Sequence, residues 1–336
     1  MMKFLFIGGT GLISSACSDL ALMRGHVLFI LNRSTSTKYA LPNGATLIQR
    51  DVHRDESNLA SLLAGQRFDA VVDFIAFTAD DIERDIRLFK DKTDQFVFIS
   101  SASAYQKPVK NYLITEETPL ENPFWEYSRN KIACESRLMN AYRNEEFPVT
   151  IIRPSLTYGL TQIPLAVASW LHPWTVVDRM KRGQKVIVPG DGSSLWVTTW
   201  NADFAKGLVG LLGNQNAIGE AFQITSDEAL TWDQIYLEVY HALGIEPNMV
   251  HIPSDLIVAY EPEKLGTLAG DKSNSVVFDN SKIKRFVPDF ACEVNWAEGV
   301  RRSLAWFDSH PEFQTIDHQA NQLWDRILSG FERALP

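Results

Sequence analysis

Cysteine is scarce in this chain. Cys17, Cys134 and Cys292 are the only three, odd in number and never in a C-x-x-C pair. That argues against a disulfide framework or a zinc knuckle and points to a reducing compartment. The seven histidines show no H-x-x-x-H or H-E-x-x-H spacing, so no metal site is expected. Positive charge is in deficit: 32 lysines and arginines face 41 aspartates and glutamates, a net charge of −9. An acidic chain lacks the broad positive field that holds a phosphate backbone, so nucleic acid is an unfavoured partner. No apolar run reaches 18 residues, so no membrane span is expected. The opening Met1–Ile7 run is too short for a signal-peptide core and meets glycines at once. A cytoplasmic location is the expectation. Repeats, low-complexity segments and flexible linkers are absent as well. What remains is 336 residues, 45% hydrophobic and 22% charged, enough for a sizeable core.

The first half of the chain alternates. Strands are expected at Lys3–Ile7, Val27–Leu31, Thr46–Arg50, Ala70–Ala76, Phe96–Ile99 and Val149–Ile152. Helices are expected at Ile13–Arg24, Leu59–Leu63, Asp80–Lys90 and Trp125–Asn144. Such alternation implies right-handed βαβ units and a parallel sheet. After Tyr158 the pattern loosens. Strands are expected at Val186–Val188, Leu195–Thr199 and Ala221–Thr225, and a helix over Asn201–Leu212 with Asn201 as its cap. Helices at Thr231–Leu243 and Trp296–Phe307 and an amphipathic tail from Ile316 to Phe331 complete the reading. The fold class is α/β: a Rossmann-type doubly wound parallel sheet with a smaller, interleaved C-terminal substrate domain. The sheet domain is assigned to residues 1–158, with 195–225 returning to it. Residues 159–194 and 226–336 are assigned to the substrate region.

Gly8-Gly9-Thr10-Gly11-Leu12-Ile13-Ser14 joins the first strand to the first helix. Such a turn lets backbone amides and a helix N-terminus face a pyrophosphate. Glycine serves where the backbone bends sharply or a phosphate comes close, and Ser14 stands where a small residue lets helix and sheet pack closely. The position and spacing fit a dinucleotide fingerprint, with Gly8, Thr10, Gly11, Leu12 and Ile13 as cofactor contacts. The acidic residue expected after the second strand is absent; Asn32, Arg33, Ser34 and Thr35 stand there. Asn32 removes the repulsion of a 2′-phosphate, and Arg33 can pair with one. NADP is therefore favoured over NAD, with a solvated Arg33 and NAD as the alternative. Asp51 and Val52, after the third strand, either contact the adenine or lie on the surface.

Tyr127 and Lys131 are four apart, on one face of the expected helix. A nearby ammonium would favour the phenolate and lower the tyrosine pKa toward the working range. Lys131 could also hold the nicotinamide ribose. Ser101 follows the Phe96–Ile99 strand, where a parallel sheet presents ligand-facing residues, and is placed to orient a substrate oxygen. The Tyr-x-x-x-Lys spacing carries little alone, since Tyr260 and Lys264 match it too. That pair is set aside because Glu261-Pro262-Glu263 suits a turn.

Here the chain resembles an extended short-chain dehydrogenase/reductase of the NAD-dependent epimerase/dehydratase group. The matching pieces are Gly8–Ser14, Phe98–Tyr105, Tyr127–Lys131 and Ile152–Gly159, followed by weaker echoes at Pro189–Gly192, Asn201–Ala205 and Asp279–Lys282. The resemblance implies a Rossmann domain with a smaller substrate domain, NAD or NADP as cofactor, and a homodimer. It carries Tyr127 over as acid/base, Lys131 as its partner and Ser101 as the hydrogen-bonder to the substrate oxygen. It adds Phe74, Ile75, Ala76 and Pro154 to the cofactor contacts. The segment Asp73-Phe74-Ile75-Ala76-Phe77 departs from the usual family pattern, which leaves those contacts open. Sugar-nucleotide epimerases usually carry a diphosphate-gripping arginine after the Gly190-Asp191-Gly192 turn, but Ser193-Ser194-Leu195 stands here. That counts against a standard UDP-sugar. Trp125, Trp196 and Trp200 either stack on a sugar ring or pack in the core. Dehydration ranks below net redox or epimerisation, because Ala102-Ser103 replaces the usual Asp-Glu pair. The expected activity is hydride transfer at a hydroxyl or carbonyl carbon of a small molecule, a sugar derivative. The rival reading comes from segments that also resemble chloroplast stem-loop-binding proteins, which handle RNA on this fold.

Overall fold

A computed structural model describes residues 1–35 and 38–334 of the chain. Its centre is a seven-stranded parallel sheet. The strands are β1 (Lys3–Ile7), β2 (Val27–Asn32), β3 (Thr46–Gln49), β4 (Ala70–Asp73), β5 (Phe96–Ile99), β6 (Val149–Pro154) and β7 (Ala221–Ile224). Their spatial order is β7-β6-β5-β4-β1-β2-β3. The chain therefore winds outward from β1 in two directions, and the order reverses between β1 and β4. Ligands of such sheets bind outside the carboxyl ends of the strands at that switch point.

Both sheet faces are covered, so each strand buries alternate side chains in opposite layers. Phe4 and Phe6 enter one layer with Cys17, Leu28 and Ile30. Leu5 and Ile7 enter the other with Val71, Phe98 and Cys134. Helix α1 (Ser14–Met23) packs beside the helix Asn201–Leu211. On the other side lie α2 (Glu56–Leu62), α3 (Ala79–Phe89) and α4 (Glu126–Glu145). A buried ion pair, Arg153 to Glu135 at 2.7 Å, ties β6 to α4. All three cysteines are free, and burial pushes the Cys134 and Cys292 thiols up to about 12.

A third core lies beyond the sheet. It gathers Trp174, Trp196, Trp200, Trp232, Trp296 and Trp324 with Tyr158, Tyr236 and Phe307. Short two-stranded pairings frame it, such as Val186–Pro189 beside Met249–Ile252.

Four details differ from the sequence reading. The apolar run Ala70–Ala76 leaves the sheet at Asp73, because that buried carboxylate accepts hydrogen bonds from the amides of Ile75 (2.6 Å) and Ala76 (2.8 Å) and closes a turn. Leu195–Thr199 is not one strand. Leu195–Trp196 pairs with Leu230–Thr231, and Thr198–Trp200 with Leu156–Tyr158, so residues 195–200 stay outside the large sheet. The chain returns to it with the Asn201–Leu211 helix and β7. Asn201 is not the helix cap, since Trp200 holds that place without a side-chain bond. The Asn201 amide instead donates to the Leu12 carbonyl at 2.8 Å, which ties the returning helix to the glycine loop. Among the described residues, no helix is long and apolar enough to cross a membrane.

Candidate active site

The glycine loop opens directly from β1. Gly8 has φ +84°, and a Cβ there would stand 2.5 Å from Ile75 Cγ2. Only glycine accepts both the left-handed backbone and the approach of the Phe74–Phe77 turn. The Ser14 hydroxyl donates to the Gly8 carbonyl (2.7 Å) and accepts from the Gly11 amide (2.8 Å). One short side chain thus closes the loop at the N-terminus of α1.

Three adjoining cavities run along the carboxyl ends of the strands. The first, about 380 Å³, is walled by Gly8, Thr10, Gly11, Asn32, Arg33, Asp51 and Val52. Asn32 donates to the Thr10 hydroxyl at 2.9 Å and accepts from the Ser34 amide at 2.8 Å. Arg33 is exposed on this wall, and Arg50 stands there with it. The second cavity, about 320 Å³, takes in Leu12, Ile13, Phe74, Ile75, Lys131 and Pro154. The third, about 530 Å³, lies toward the tryptophan-rich core. Ser101 and Tyr127 line both the second and the third, and Phe77 lines all three. Ala76 does not line this cleft. It is fully buried, and its carbonyl accepts from Lys131 instead.

Lys131 is 2% exposed, and its ammonium donates to the carbonyls of Ala76 (2.7 Å) and Ile99 (2.8 Å). Two of its three donors are therefore held by the turn after β4 and the end of β5, and one is left for the cleft. Burial pushes its pKa down to about 8. The expected lowering of the Tyr127 pKa is not found. Burial raises it, the Ser101 hydroxyl opposes that rise, and the Asp271 carboxylate adds to it. The Lys131 ammonium sits 5.8 Å from the Tyr127 ring centre, turned toward the two carbonyls. Ser101 contacts the Ser103 hydroxyl at 2.9 Å, and Ser128 donates to Ser103 at 2.8 Å. Ser100 is turned away and donates to Glu135. Tyr260 and Lys264 fall on separate short helices, Ser254–Tyr260 and Lys264–Thr267.

Trp125 and Trp196 line the third cavity; Trp200 does not. It packs edge-on against Tyr158 in the core. Sequence reasoning missed Arg50, Lys107, Trp170, Asp271 and Lys272 as cleft residues. Arg50 had a signal, because it follows β3 as Arg33 follows β2. The others had none, since loops far apart in sequence bring them together.

The first two cavities fit a dinucleotide in their own terms. A glycine loop at a helix N-terminus, a long cleft over the switch point and two arginines at one end form a cradle for phosphates and a nucleoside. Among curated proteins, the chain is similar to the 2'-dehydrokanamycin reductase of Streptomyces kanamyceticus. The two are 25% identical over 293 residues, 86% of this chain and 80% of the relative. It is also 27% identical over 262 residues to the chloroplast stem-loop binding protein of 41 kDa b of Arabidopsis thaliana, 74% of this chain and 65% of that one. Among solved structures, it matches the dTDP-glucose 4,6-dehydratase of Bacillus anthracis in complex with NAD. That match has TM-score 0.74 and 19% identity, and covers 93% of this chain and 98% of that one. The UDP-glucuronic acid 4-epimerase of Bacillus cereus, in complex with UDP-glucuronic acid and NAD, gives TM-score 0.73 and 19% identity over 92% of this chain and all of that one. A sequence model of the NAD dependent epimerase/dehydratase family matches residues 4–225, more than half of the chain. With the glycine loop, the winding of the sheet and the Tyr127–Lys131 helix in place, the chain belongs to the NAD-dependent epimerase/dehydratase family.

Proposed function

We propose that this protein is an NAD(P)-dependent oxidoreductase or epimerase acting on a hydroxyl or carbonyl carbon of a sugar derivative. The observation that carries the reading is the shared wall: Ser101 and Tyr127 line both the cavity of the glycine loop and the aromatic cavity beside it. Bound dinucleotide would supply or accept the hydride. Tyr127 would give its hydroxyl proton to a carbonyl oxygen on reduction and take it back on oxidation. Ser101 would hold that oxygen beside the phenol. Lys131, fixed by two carbonyls, would turn its remaining donor to the nicotinamide ribose and stabilise the phenolate when it forms.

NADP is the favoured cofactor. Asn32 stands where a carboxylate would repel a 2′-phosphate, and Arg33 and Arg50 share the wall of that cavity. The likeness to 2'-dehydrokanamycin reductase supports net reduction of a sugar-linked carbonyl, and the solved neighbours support sugar substrates more broadly. The test is a fluorescence titration of cofactor-stripped protein with NADPH and NADH in parallel. Saturable binding, tighter for NADPH, is the expected outcome. Binding of neither would overturn the reading and favour RNA binding on this fold, for which the likeness to the stem-loop binding protein is the specific support.

A further inference from the structure

The third cavity is built as an aromatic box. Tyr105, Trp125, Trp170, Trp196 and Phe278 contribute rings to its wall, and about 530 Å³ is within the usual range for a small-molecule site. Its formal charges, among the described residues, are Lys107, Asp271 and Lys272. Lys272 pairs with Asp271 at 3.1 Å. Lys107 is 3% exposed, and among the described residues no hydrogen bond or ion pair holds its ammonium. Burial pushes the Lys107 pKa below its ordinary value, and the Asp271 carboxylate, with no direct contact, opposes that shift. One carboxylate thus serves two ammoniums, and one positive charge is left over inside an apolar wall.

A buried cation without a partner is costly, and the low-dielectric surroundings that make it costly also strengthen its attraction for an anion. A neutral ligand would leave the excess charge uncompensated. A ligand amine would add a like charge beside it. We propose that Lys107 is a specificity-determining residue that receives an anionic group, a carboxylate or a phosphate, on the sugar derivative whose reacting carbon lies at Tyr127. The proposal rests on the function read above. It narrows the substrate class to sugar acids or sugar phosphates, with the sugar face against Trp125 and Trp196.

The test uses the tryptophans of the box as reporters. D-Glucuronate, D-glucose 6-phosphate, D-glucose and D-glucosamine are titrated into NADP-saturated protein, and tryptophan quenching is followed. An anionic probe should bind about tenfold or more tighter than glucose, with glucosamine weakest. The carboxylate and phosphate arms identify which anion fits. Lys107→Met should cancel the preference, and Asp271→Asn, which removes the competing carboxylate, should strengthen it. Equal binding of all four probes, tightest binding of glucosamine, or no binding by either anionic probe would overturn the proposal. So would an unchanged preference in both variants. A separate NADP titration of each protein distinguishes the two failures. Failure of the unmodified protein to bind either NADP or NAD sinks the functional reading. Normal NADP binding without charge discrimination sinks the Lys107 assignment alone.

Discussion

The wall of the dinucleotide cleft and the wall of the aromatic box differ in how the chain makes them. The cleft is lined mainly by segments at the ends of strands of one sheet: Gly8–Ser14 after β1, Leu31–Thr35 at the end of β2, Arg50–His53 after β3 and Phe74–Phe77 after β4, with Tyr127 and Lys131 added from α4. Once the sheet is parallel, those segments must emerge at the same edge. The box draws on Lys107, Trp125, Trp170, Trp196, Asp271 and Phe278, which no single sheet orders. All nine tryptophans lie at or after Trp125, and of the three that line the box only Trp170 also reaches the cleft. The cleft uses glycine and backbone groups, suited to a ligand with invariant phosphates. The box uses large rings and a few charges, suited to discriminating one small substrate from another.

The sharpest way to break this division is at the residue on the shared wall. Tyr127→Phe removes the proton donor and little else. Turnover should fall about a thousandfold, with dinucleotide affinity within about twofold of the unmodified protein, read by steady-state rates and NADPH titration. Full activity in that variant would remove the proposed chemistry. The pH dependence tests the same group without mutation. Burial raises the Tyr127 pKa above its ordinary value near 10, so the phenol stays protonated at neutral pH. Reduction, which needs the proton and the Lys131 ammonium, should be nearly flat below about pH 7 and fall above about 8, where Lys131 loses its charge. Oxidation, which needs the phenolate, should gain about tenfold in kcat/KM per pH unit below about pH 8 and less steeply above it, as Lys131 loses its charge. A plateau near neutral pH in the oxidation profile would mean that bound dinucleotide releases Lys131 toward Tyr127.

The remaining tests act on the cleft alone. Gly8→Val forces a branched side chain into a left-handed backbone and against Ile75. It should cost about 1–3 kcal/mol of stability, lower Tm and abolish dinucleotide binding, checked by calorimetry and titration. Arg33→Ala should be gentler. NADPH affinity should fall about tenfold and NADH affinity should hold, because the charge would act only on the 2′-phosphate. Equal loss for both dinucleotides would assign Arg33 to the shared pyrophosphate or adenine instead.

Much of the cleft was legible because its signals are local. An apolar run, a glycine turn and a helix recur in order, and strand limits such as Lys3–Ile7 and Phe96–Ile99 follow from hydrophobic runs alone. Asn201 shows where local reasoning stops. Its residue type suits a helix cap, but its amide found a better acceptor at Leu12, 189 positions away. Trp196 and Trp200 show the same limit. They sit on adjoining short strands, yet one faces a cavity and the other a core.

By itself the sequence determined the parallel sheet, the glycine loop and the Tyr127–Lys131 spacing, because each is a property of neighbouring residues along a strand, turn or helix. Only the tertiary structure decided that Lys131 turns to the carbonyls of Ala76 and Ile99. It alone set Arg50 on the same cavity wall as Arg33, and placed Lys107 in the wall of the aromatic box without a hydrogen-bond partner for its ammonium among the described residues. Those outcomes depend on which distant loops pack together and on what partners burial leaves within reach, and neither is encoded in local periodicity.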